Sequence, residues 1–130
     1  MSDAETLATR AARAARASER AGVTDPPADA AARRAARDGL GPVVACYIEA
    51  RVSEEERVQP RDLDLLNRAT EDWLAVYARH LGVDCAPSVP VRVAAETLLD
   101  TRNIVSVARV LTGVPARQDP TVTDSAPKQE

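Results

Sequence analysis

Apolar side chains recur every three or four residues between Leu63 and Leu81. Leu63, Leu66, Ala69, Trp73, Val76, Tyr77, His80 and Leu81 make one stripe of helical period. Asp62, just after Pro60, is placed to cap this helix, and Gly82 to end it. On the polar side, Asp64 and Asp72 each stand four residues from Arg68, the spacing of a helical ion pair. The pattern predicts a helix over about 61–81.

Glycine and proline divide the rest. Residues 2–21 are rich in Ala, Leu, Arg and Glu and end at Gly22, so they read as a helix. A short helix over 26–38 follows, with Asp25 as cap, Pro26 in its first turn and Gly39 at its end. Pro42 opens a third segment running to about residue 57, with the spacing of a capping box at Ser53 and Glu56. Its β-branched start leaves a strand at 43–52 as the alternative. Residues 91–112 read as a last helix. Its second half is apolar on nearly every side, which suits a buried helix, an interface helix or a strand at 104–111. Residues 115–130 are polar and proline-bearing and read as a disordered tail.

Composition narrows the architecture. Hydrophobic residues make up 45% of the 130, but with no Phe, one Trp and two Tyr the core must rest on Leu and Val. Most of those lie between residues 40 and 114. The expectation is an all-α fold, a small bundle of three core helices. One or two Ala/Arg-rich N-terminal helices would sit at its periphery. The organisation is then an arm at 1–39, a core at 40–114 and the tail at 115–130. So small a core hints at self-association.

No apolar run approaches membrane-span length, and Cys46 and Cys85 lack the density of a disulfide framework. The Arg-rich start contains Asp3, Glu5 and Glu19, unlike acid-poor transit peptides. Cytoplasm is the expected compartment. Abundant alanine, arginine and valine beside a single lysine, Lys128, also carry the mark of a high-GC genome.

Chemistry is sparse. Glycine-rich nucleotide loops, nucleophile elbows and H-E-x-x-H are missing from the sequence, and the one lysine lies in the tail. His80 and Cys85 could form a nucleophile pair, but the sequence supplies no orienting group. The plainer account makes His80 a last-turn histidine and Cys85 a small apolar residue. Glu54–Glu56 and the Glu96/Asp100 pair read as solvated faces. No catalytic residue, metal or cofactor is expected.

Two surfaces remain. Trp73, Tyr77, Ile104, Val107 and Leu111 are the candidate interface, with the core as the competing place for the two aromatics. Arg10, Arg13, Arg16 and Arg20 fall within roughly 120° of a helical wheel, opposite a thin alanine face. Seven arginines against six acids in 1–41 argue against a polyanion arm, and eight acids against four arginines follow in 42–72. The functional expectation is a non-enzymatic helical interaction module that self-associates. A nucleic-acid-associated regulator using the arginine stripe is the first alternative. A small enzyme or ligand binder using His80 and Cys85 is the second.

Overall fold

The computed structural model describes residues 3–52 and 59–115, and every regular element among them is helical. The elements are α1 (Asp3–Ala21), α2 (Asp29–Arg34), a π-helical turn (Ala35–Leu40), α3 (Gly41–Val52), α4 (Pro60–His80), α5 (Val91–Thr101) and α6 (Ile104–Thr112). Both segments that allowed a strand, 43–52 and 104–111, are helical. The buried positions recur at helical spacing: Val43 and Val44 stand four and three residues before Tyr47 on α3, and Val105 stands three before Ala108 on α6. No helix among the described residues is long and apolar enough to cross a membrane. The expected capping box at Ser53–Glu56 and the tail beyond Pro115 lie outside the described residues.

α4 is the central element. Leu66, Thr70, Leu74 and Tyr77 are fully buried along it. Thr70 satisfies its hydroxyl by donating to the Leu66 carbonyl at 2.8 Å. The helix begins with Pro60 at its first position after extended Gln59, so the cap expected of Asp62 is not used. Its far end is a Schellman motif. Val83 N–H donates to the Ala78 carbonyl and Gly82 N–H to Arg79, with Gly82 at φ +88°. Donors also come from elsewhere in the chain: Thr24 N–H gives the Arg79 carbonyl a second bond at 2.9 Å, and Ala28 N–H donates to His80 at 2.7 Å.

α1 lies along α4, and the two run parallel. Arg61 and Glu5 pair at 2.7 Å near the start of both helices, and Arg79 meets Ser18 and Glu19 near the end of both. Ala4, Ala11 and Ala15 are the buried face of α1, and their methyl groups let the two backbones approach closely. These alanines, with Ala32, Ala35 and Ala36, belong to the same apolar cluster as Leu66 and Trp73. The N-terminal helices are thus closer to the core than their composition predicts: their alanine faces help to build it.

Gly39 and Pro42 do not separate two helices as the sequence suggested. The chain is helical without interruption from Asp29 to Val52. Proline within a helix lacks one amide donor and crowds the carbonyl four residues before it. Here the preceding turn widens, with Gly41 N–H reaching the Ala36 carbonyl five residues back. Gly39 is buried under the ring of Trp73, where a Cβ would overlap the indole carbons Cδ2, Cε2 and Cε3. A side-chain contact, not a turn, requires glycine there.

The single helix expected over 91–112 is two. Arg102 adopts φ 59°, and Asn103 caps α6 by accepting from Val105 N–H at 2.9 Å and Ser106 N–H at 3.1 Å. Replacing Asn103 with alanine is expected to cost about 1 kcal/mol, read as a lower urea midpoint with unchanged slope. The start of α5 is capped from another helix, because Asn67 on α4 accepts from Val91 N–H at 2.8 Å.

Candidate interaction surfaces

The candidate interface residues do not form one outward patch. Trp73, Tyr77 and Val107 are buried in this chain's own core, and Ile104 and Leu111 are half-buried against it. Chains without Phe have few large side chains to fill a core, and packing has used these. Tyr77 also donates its hydroxyl to the Val114 carbonyl at 2.7 Å, tying the end of α6 to α4.

Among the open grooves of the described residues, two bear on these surfaces. The first, of about 500 Å³, lies between α1 and the α2–π-turn segment, with Trp73 of α4 among its lining residues. Ala14 and Ala35 wall it, and Arg10, Arg34 and His80 stand along it. The guanidinium of Arg10 sits 5.8 Å from the indole centroid, a cation–π contact. The second, of about 340 Å³, lies between α3 and α5. Tyr47, Ile48 and Val52 form one wall and Leu99 the other, with Arg51, Arg92 and Glu96 around the rim. Sequence reasoning missed this face. Val52 and Leu99 do not stand out in periodic apolar segments until α3 and α5 are laid side by side.

The arginine stripe is as exposed as its geometry predicts: Arg10, Arg13, Arg16 and Arg20 all face outward. The resolved ion pairs between α1 and α4 run in the opposite sense, from Glu5 and Glu19 of α1 to Arg61 and Arg79 of α4. Arg16 is near enough to Asp72 to favour its charge. Burial outweighs that, reinforced by Glu71 and Glu19, and the Asp72 carboxyl is held above the usual range.

His80 closes α4, and Cys85 follows in the 82–90 connection. No hydrogen bond joins them among the described residues. Burial lowers the His80 pKa, and the field of Arg34 lowers it further. Burial pushes the Cys85 thiol up, and Asp84 adds to the rise against a smaller opposing effect of Arg79. Cys46 is likewise raised, first by burial and then by Asp3, Glu49 and Asp62. A thiol nucleophile needs the reverse arrangement. Both cysteines should therefore label more slowly at pH 7 in the native protein than in urea. A native rate above that of the unfolded chain would show activation after all. No cluster of three or more His, Cys, Asp or Glu side chains among the described residues is placed to hold a metal.

Residues 2–116 match the model of the family described as Domain of unknown function (DUF8055), and the chain belongs to that family. No curated protein and no solved structure matches it.

Proposed function

We propose that this member of the DUF8055 family is a non-enzymatic helical interaction module, a small subunit, scaffold or assembly factor, that self-associates. One observation carries the reading. Val52 and Leu99 are the most exposed large apolar side chains among the described residues, at 73% and 70%, and they line the same groove. Single exposed apolar residues are ordinary, but a shared apolar site with a charged rim is the usual form of a contact surface. The raised thiol pKa values disfavour a thiol nucleophile at Cys46 or Cys85. Light scattering over a range of concentrations tests it. The expected mass exceeds the 13.9 kDa of one chain and falls on dilution. A mass of one chain at every concentration would count against self-association.

A nucleic-acid reading has one observation in its favour. Two carboxylates of α1 are tied to α4, while the stripe arginines face solvent. On this reading Arg10, Arg13, Arg16 and Arg20 contact phosphates, each adding about 0.9 to the salt slope of log K. Titration of duplex DNA at two salt concentrations decides, and no binding at low salt sinks it.

A further inference from the structure

We infer that the α3–α5 groove is the seat of a second copy of this chain, paired about a two-fold axis. This rests on the self-association proposed above and assigns it to a surface. In a two-fold contact one patch meets itself, so the patch must be complementary to itself. This one is. The α3 wall offers Val52 beside Arg51, and the α5 wall offers Leu99 beside Glu96. Turning one copy over the other lays the α3 wall on the partner's α5 wall. Val52 then meets Leu99 and Arg51 meets Glu96, each contact made twice.

Both charges are open to solvent. Arg51 is exposed and makes no ion pair among the described residues. Glu96 is held by Arg92 at 3.0 Å, but both side chains are 60% exposed. A pair that open to water is weak, so sharing Glu96 with a second arginine sacrifices little. Tyr47, which belongs to this chain's own core, backs the α3 side of the groove. Size sets the strength. The apolar centre amounts to a few side chains, well short of the ~800 Å² per partner of a standard stable complex. A contact of this size is expected to be weak and to dissociate on dilution.

Light scattering of the full chain, from dilute to concentrated solution, tests the assignment with four variants. Wild type is expected to rise from the mass of one chain toward two. Leu99→Glu stays at one chain with unchanged circular dichroism and melting, because Leu99 lies outside the core. Arg51→Glu and Glu96→Arg each weaken pairing about tenfold or more, and the double variant R51E/E96R regains it. A wild type monomeric throughout overturns self-association itself. A wild-type dimer indifferent to Leu99→Glu overturns this surface while leaving self-association standing. A double variant as weak as the singles overturns the two-fold register.

Discussion

Gly39→Ala is expected to lower the unfolding free energy by about 1–3 kcal/mol, and the sign of its effect is expected to reverse when Trp73 is replaced by leucine. Both outcomes follow from one contact. Gly39 is helical and buried, and the plane of the Trp73 ring lies where its Cβ would stand. The obstacle is a fused ring packed among buried neighbours, not the free end of a flexible chain. An added methyl group must displace either the indole or the π turn. Without the indole, alanine has room, and its better helix propensity returns about 0.5–1 kcal/mol relative to glycine. Urea melts of the four members of the cycle measure the coupling. Equal costs for Gly39→Ala in both backgrounds would mean that the ring is not what demands glycine.

Tyr77 carries the second large effect. It has no exposed surface, and it is the bulkiest of the fully buried side chains. Tyr77→Ala should cost about 3–5 kcal/mol, a large fraction of the ~5–15 kcal/mol typical of a whole domain. Tyr77→Phe keeps the ring and removes the bond to the Val114 carbonyl, so it should cost about 1 kcal/mol. The carbonyl is only partly buried and can turn to water, which keeps this figure low. The two variants separate packing from hydrogen bonding. Tyr77→Phe also has a local signature: amide exchange should quicken in α6 before the rest of the molecule loosens. Uniform acceleration would mean that the hydroxyl stabilises the fold without anchoring this end.

The legibility of the chain follows which interactions are local. The stripe on α4 and its glycine stop were readable, because both arise within one helix. The class of fold was readable too, since each segment had helical length and period. Gly39 and Pro42 misled, because their spacing is that of a break while their reasons lie in the distant Trp73 ring and in a widened turn. Asn103 before an apolar run is a helix-start signal. Residues 91–112 hold no glycine or proline, so nothing punctuates the segment at the polar run 100–103 and it reads as one helix. The burial of α1 was the least visible. Alanine patterning says where a close-packed face could lie but not whether a partner exists. The α3–α5 groove was hidden for the same reason, being a property of two helices that lie far apart in sequence.

The parallel alignment of α1 and α4 has a consequence for synthesis on the ribosome. α1 is made first, but the helix that covers its alanine face comes only after α2, the π turn and α3 have been translated. At the usual ~5–20 residues per second, α1 waits for seconds without its partner. A face of leucines exposed for that interval would invite aggregation. A face of alanines opposite a band of arginines stays in solution, and 19 residues rich in good helix formers hold part of their helicity alone. The composition of α1 thus fits a nascent segment that must remain soluble and nearly folded until its neighbour emerges.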